Sequence, residues 1–182
     1  MEWDKFWSAN KKFLEERAYR YMGVTEANKV PFVVTNAPVI PEVHTAPLHP
    51  QKPELGTRPM RRGRDLLIEH DDAEMCVEGV EITFLRWGNM IVDKIHKDAQ
   101  SGRVSRVEGR FNKDSTSFSK TKKVSWLADS GDGSVVRCKI VELGHLITKA
   151  KLEPDEDFKQ YVNKNSLLEI PALVDPCIRL VR

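Results

Sequence analysis

Arg86 and Trp87 stand side by side in the run VEITFLRWGNMIVDKIHKDAQSGRVSRVEGRF, Val80 to Phe111, where one β-rich stretch gives way to the next. A guanidinium and an indole at a hairpin end are tools for holding an unstacked base: the ring stacks, and the cation reaches a base edge or a phosphate. For Trp87 the alternative is partial burial as a packing residue. A second set of cations, Arg58, Arg61, Arg62 and Arg64, precedes the apolar stretch Asp65 to His70. A third, Lys120, Lys122 and Lys123, falls in a Ser/Thr-rich segment expected to be a mobile loop. Both sets are candidate phosphate contacts, and solvated loops would look the same.

Other chemistry is poorly represented. The chain has no GxxxxGK[ST] phosphate loop, no HExxH and no GxSxG, so no catalytic residue is assigned. His70-Asp71-Asp72 with Cys76 carries metal-capable atoms, but adjacent carboxylates on a loop are commonly just solvated. His44 and His49 lack a second pair of zinc ligands, and no metal site is assigned. Cys76, Cys138 and Cys177 are odd in number and widely separated, which points to free thiols in a reducing compartment and argues against a disulfide framework.

The elements that must position these residues follow from periodicity. Val80, Ile82 and Phe84 alternate with Glu81 and Thr83, as in a half-buried strand. Met90 to His96 and Arg103 to Phe111 are two further runs, with the Gly88-Asn89 pair suited to the first turn and Asp98 to Gly102 the second connector. Three such strands make an antiparallel meander. Pro31 to Asn36, Asp65 to His70, Val124 with Trp126, and Ser134 to Val141 read as further strands, with Trp126 in the core and Gly131-Asp132-Gly133 as a turn. Trp3, Phe6, Trp7, Phe13, Leu14, Tyr21 and Met22 recur at helical spacing and predict a helix from Trp3 to Met22. Six prolines between Pro38 and Pro59 forbid a helix there and favour extended backbone. Pro154 opens a short helix through Tyr161.

At 182 residues the chain holds one ordinary domain or two small ones, and 40% hydrophobic content indicates a packed core. A net charge of +2 says nothing of nucleic acid by itself, so the local clusters carry that argument. No apolar run approaches membrane-spanning length, and Glu2 and Asp4 follow Met1 where a signal peptide would be basic.

VEITFLRWGNMIVDKIHKD and KKVSWLAD (Lys122 to Asp129) resemble the anticodon-binding region of glutamyl-tRNA synthetases of the cytosolic eukaryotic and archaeal type. HPQKPELGTRPM at His49 to Met60 and DEDFKQYVNKNS at Asp155 to Ser166 extend the resemblance over nearly the whole chain. WDKFWSANKK with RYM resembles the helix that joins the catalytic body to that region, although the family usually carries an Asp-Pro, and often a Pro before the arginine, where this chain has Glu15-Glu16-Arg17-Ala18-Tyr19-Arg20. The resemblance implies a mostly β fold: a connecting helix over residues 1–24, a proximal antiparallel barrel over 25–128 and a distal one over 129–182. It implies tRNA(Glu) as partner, a cytoplasmic location, and residence in an enzyme that uses ATP and magnesium, with no cofactor in this chain. Arg20 aligns with an arginine that contacts the anticodon region in glutaminyl-tRNA synthetase, and Arg86 falls near another.

The family's basic, glycine-containing closing segment is missing after Asp175-Pro176-Cys177, so an open strand edge is expected near Leu173 to Arg182. That departure supports an alternative: a protein-interaction module in a multi-synthetase assembly. The glutaminyl branch is the other alternative, disfavoured by the FLRWGN and KKVSWLAD wording. The HIGH and KMSKS-type signatures that hold ATP in class I synthetases are absent. The purified chain should therefore give no glutamate-dependent ATP–pyrophosphate exchange; exchange above background would reveal an activating site that the sequence does not display.

Overall fold

The computed structural model describes residues 3–115, 117–129, 131, 135–149 and 151–180. Helix α1 spans Trp3–Glu15 and a short α2 spans His70–Glu74. The first six strands are β1 Gly23–Thr25, β2 Lys29–Val34, β3 Glu42–Pro47, β4 Thr57–Arg62, β5 Asp65–Glu69 and β6 Glu81–Phe84. The rest are β7 Gly88–Lys97, β8 Val104–Phe111, β9 Lys122–Val124, β10 Trp126–Ala128, β11 Val136–Leu143 and β12 Leu167–Val174. No helix of the described residues is long and apolar enough to cross a membrane.

Seven strands form one sheet in the order β10-β5-β2-β8-β7-β6-β9. Its two edge strands, β9 and β10, are one stretch of chain broken only at Ser125, so the sheet curls into a nearly closed barrel. The Asp72 carboxylate, from α2, accepts the Ser125 backbone N–H at this seam, and burial beside Glu69 and Asp71 raises its pKa. The expected meander is present as β6-β7-β8, antiparallel throughout. Two other pairings in the barrel, β2–β8 and β6–β9, are parallel. Hairpin reasoning finds antiparallel neighbours only; strands brought together by long connections are under no such rule.

The barrel interior is aromatic at one end and aliphatic elsewhere. Phe32, Phe84, Met90, Val92, Val107 and Trp126 are all buried, with Trp126 in the core as expected. Phe32 meets Phe84 edge to face at 4.8 Å, and Trp126 stacks on Phe84 at 6.2 Å. The parallel crossing of β2 and β8 depends on Gly109. A Cβ there would lie 2.6 Å from the Ile91 carbonyl oxygen and 2.8 Å from Phe32 Cζ.

The helix stops a full two turns before Met22. The Glu15 carbonyl is taken by Nε2 of His49 at 2.9 Å and by the Arg20 guanidinium, while the Arg20 N–H turns to the Leu48 carbonyl. The proline-rich strap thus ends the helix by capturing the carbonyl and amide that a further turn would need. The expected apolar stripe of α1 is not packed: Phe6, Trp7, Phe13 and Leu14 are each about half exposed. The strap itself is ordered as the β3–β4 ribbon. Pro154 does not open a helix; a single 3-10 turn runs from Phe158 to Tyr161, capped by Asp157, while Glu156 is drawn to Lys149 and Tyr161.

A second, three-stranded sheet has the order β1-β12-β11. Leu173 pairs with Val24 on one side and Arg137 on the other, so the open edge expected at Leu173 is not there. Residues Pro176–Leu180 coil into a 3-10 turn, and Val181 and Arg182 lie outside the described residues. The sheet's edges are β1 and β11, and the faces of β11 and β12 expose Val141, Leu143, Leu167 and Leu168. Asp132, Gly133 and Ser134, assigned to a turn and strand start, also lie outside the described residues.

One buried ion pair ties the β3–β4 ribbon to the end of β12 in the three-stranded sheet. Arg58 of β4 donates to Asp175, just after β12, and both are nearly inaccessible. Cys177 donates to the Pro59 carbonyl beside it. Asp175→Ala would leave a buried guanidinium without its counter-charge and should cost about 3–5 kcal/mol in urea unfolding. The double change Arg58→Met with Asp175→Leu should recover most of that loss. Gly109→Val should cost about 3 kcal/mol, because the obstructing atom is backbone and cannot swing away.

Candidate nucleic-acid interface

The barrel end that carries Arg86 is built by a three-residue turn. Phe84 pairs with Gly88, so the loop is Leu85-Arg86-Trp87, closed by the Trp87 N–H on the Phe84 carbonyl at 3.0 Å. Arg86 adopts φ +64°, the left-handed region that costs a non-glycine residue about 1 kcal/mol. Sequence read Arg86 to Asn89 as the break between strands, with Gly88-Asn89 suited to positive φ. Gly88 takes φ +147° and starts β7, where the absence of a side chain also admits the Phe111 ring, 2.7 Å from where a Cβ would stand. Asn89 is buried within the strand: it accepts from Thr83 at 2.6 Å and donates to Ser115 at 2.7 Å and to the Ser117 carbonyl. With Glu81 bound to Asn112 and Ser115, this network anchors Asn112, Ser115 and Ser117 of the stretch Asn112 to Lys123 that composition marked as a mobile loop.

Four arginines and two aromatics meet beside this turn. Arg86 Nη1 donates to the Arg20 carbonyl at 3.1 Å, and Arg20 pairs with Glu15 at 2.7 Å. Arg62 donates to the Arg86 carbonyl and lies over Trp87, 5.9 Å from the ring centre. Arg58 lies over Tyr21 at 5.2 Å. The structure therefore brings Arg20, Arg86 and Trp87 together, three residues that sequence singled out from segments sixty-odd positions apart. Burial, then the charges of Arg58 and Arg20, lower the Arg86 pKa; burial alone lowers that of Arg62. A guanidinium stays protonated under such a shift, so the cluster remains positive. Arg62 and Arg86 make no ion pair among the described residues.

The remaining candidates separate. Arg58 is 2% exposed and committed to Asp175, which removes it from any surface that could meet a phosphate. Arg61 is exposed on β4, and Arg64, part exposed, pairs with Asp65 at 3.0 Å. Lys122 reaches the Met75 carbonyl at 3.3 Å and Lys123 folds back on the Thr121 carbonyl at 2.7 Å, while Lys120 projects from the tethered loop. Trp87 is half-buried against Trp126 at 5.0 Å and Phe111 at 6.1 Å, so much of its ring is packing surface. Tyr21, Asp175 and His49 were not foreseen: each acts through partners distant in sequence, with no local pattern to mark them.

His70, Asp71 and Glu74 approach one another closely enough to hold an ion. Arg103 Nε donates to His70 Nε2 at 3.2 Å, which uses that lone pair and leaves the ring proton on Nδ1, toward Glu74. Such a ring has no nitrogen free for a metal. The three cysteines are unpaired thiols, and burial pushes the Cys76 pKa up to about 11.

Comparison with known proteins bears on the same residues. The family model described as "tRNA synthetases class I (E and Q), anti-codon binding domain" matches residues 18–112, more than half of the chain and the whole hairpin region. The chain is 39% identical over 98% of its length to the bifunctional glutamate/proline–tRNA ligase of Mus musculus. It is 34% identical over 98% of its length both to a probable cytoplasmic glutamate–tRNA ligase of Schizosaccharomyces pombe and to the cytoplasmic glutamate–tRNA ligase of Arabidopsis thaliana. It spans 12%, 25% and 24% of those three proteins. The chain belongs to the anticodon-binding domain family of the class I glutamyl- and glutaminyl-tRNA synthetases.

Proposed function

We propose that this chain reads tRNA(Glu) for a glutamate–tRNA ligase, holding the anticodon loop while a catalytic part elsewhere in the enzyme joins glutamate to the acceptor end. The observation that carries this reading is the meeting of Arg20 and Arg86 beside Trp87 at one end of the barrel. The names of these relatives, each a glutamate–tRNA ligase or a bifunctional glutamate/proline–tRNA ligase, favour the glutamyl branch, and two of them, named cytoplasmic, favour a cytoplasmic location. ATP and magnesium would be handled by the catalytic part. Residues 1–24 would form the connection to it, 25–128 the proximal unit and 129–182 the distal one, with β1 contributed across the first boundary.

Arg86 is placed to read a base edge or a phosphate, and Arg20 to support it. Arg61, Arg64, Lys120, Lys122 and Lys123 would supply weaker, sequence-independent attraction to the backbone of the RNA. A second reading is favoured by the exposed apolar face of β11 and β12: a contact with another protein of a synthetase assembly. The two readings do not exclude each other.

Titration of tRNA(Glu) onto the chain at several salt concentrations tests the proposal. As a base reader, Arg86→Ala should cost about 1–3 kcal/mol and relax discrimination between anticodons. As a phosphate contact it should weaken all tRNAs alike and reduce the salt slope by about 0.7. Arg20→Ala should act in the same direction. Trp87→Ala should lower the melting temperature as well as affinity, because its ring is part of the core. Binding indifferent to Arg20 and Arg86 would put the protein-contact reading ahead.

A further inference from the structure

Arg62 closes β4, and its guanidinium crosses from the proline-rich strap to the hairpin turn. Nη2 donates to the Arg86 carbonyl, the group whose direction is set when Arg86 takes its left-handed conformation. Its Cζ stands over Trp87, the next residue of the turn, 5.9 Å from the ring centre. Its Nε is buried and has no partner, and no carboxylate pairs with it among the described residues. With Nη2 committed to a backbone carbonyl and Nε buried, two of its three guanidinium nitrogens are turned into the protein. The group is well placed to fix a loop.

We propose that Arg62 is a positioning residue: its bond to the Arg86 carbonyl and its contact with Trp87 hold the Leu85–Trp87 turn in the left-handed form that aims Arg86 at Arg20. The consequence for RNA rests on the function proposed above; the effect on the turn stands independently of it. Without the bond, a non-glycine residue at φ +64° would relax toward the right-handed or extended regions and carry its side chain away from Arg20. Lysine cannot substitute. It keeps the charge but lacks the planar fork that bonds a carbonyl while lying on an indole.

The test compares Arg62→Met and Arg62→Lys in the intact chain, alone and combined with Arg86→Ala. The first readout needs no RNA: hydrogen exchange at the Trp87 amide, which closes the turn on Phe84. Protection should fall about tenfold in both variants, the equivalent of one charge-assisted bond. The second readout is binding of an unmodified tRNA(Glu) transcript across salt concentrations. Affinity should fall about tenfold with an unchanged salt slope, and Arg62→Met should add little on the Arg86→Ala background. Unchanged Trp87 protection overturns the proposal. So does full binding by Arg62→Lys together with a shallower salt slope in Arg62→Met, the behaviour of a phosphate contact. If Arg86→Ala leaves tRNA binding intact while Trp87 protection still falls, the positioning role stands and the RNA reading fails. Should Arg62→Met not fold, Arg62→Lys carries both readouts.

Discussion

The structure depends on how the barrel shuts. One short stretch, Lys122 to Ala128, must pair with β6 before Ser125 and with β5 after it. Trp126 fixes the change of partner. Its ring is buried against Phe84 and Trp87, and its Nε1 donates to the Leu85 carbonyl at 2.9 Å. The same indole therefore closes the sheet and fastens the base of the turn that carries Arg86. Burial of so large a ring supplies area, while its single polar atom supplies direction. Core and proposed recognition surface are thus held by one side chain.

Around that turn, positive charge is held mainly by carbonyl oxygens. Arg86 donates to the Arg20 backbone and Arg62 to the Arg86 backbone. Of the four arginines, only Arg20 and Arg58 have carboxylate partners in the described structure. Carbonyls orient a guanidinium without neutralising it, which leaves a field that an anion can answer. Arg58 shows the opposite arrangement from the same strand. It is deep, neutralised by Asp175, and structural in effect.

The strands of the meander were legible because alternation reports burial directly, and Trp126 because Val124 marks its face. The left-handed residue of the turn was not. Gly88 does take a positive φ, +147°, where it also admits Phe111, whereas Asn89 anchors a buried polar network. The left-handed position inside the turn falls to Arg86, which no local pattern marks. The helix end was missed for a similar reason: His49 captures the Glu15 carbonyl from far along the chain. Of the candidate site, Arg86 and Trp87 were read from their place at a hairpin end, Arg86 by resemblance as well, and Arg20 by resemblance alone. The division of the basic cluster into buried Arg58, bridging Arg62 and exposed Arg61 has no counterpart in spacing. Pairing with β3 and the reach to Asp175 decide it.

The pairing of β1 with β12 has a consequence for the order of events during synthesis. Gly23 to Thr25 leave the ribosome well before their partners Ala172 to Val174, from which the whole barrel separates them. At about 5–20 residues per second, β1 waits roughly 7–30 s for its neighbour, long enough for the barrel strands between them to assemble first. The barrel is then the template on which the second sheet is laid. During that interval Glu69 can hold the early strand in place through the Thr25 amide and hydroxyl, a bond that requires nothing yet to be translated.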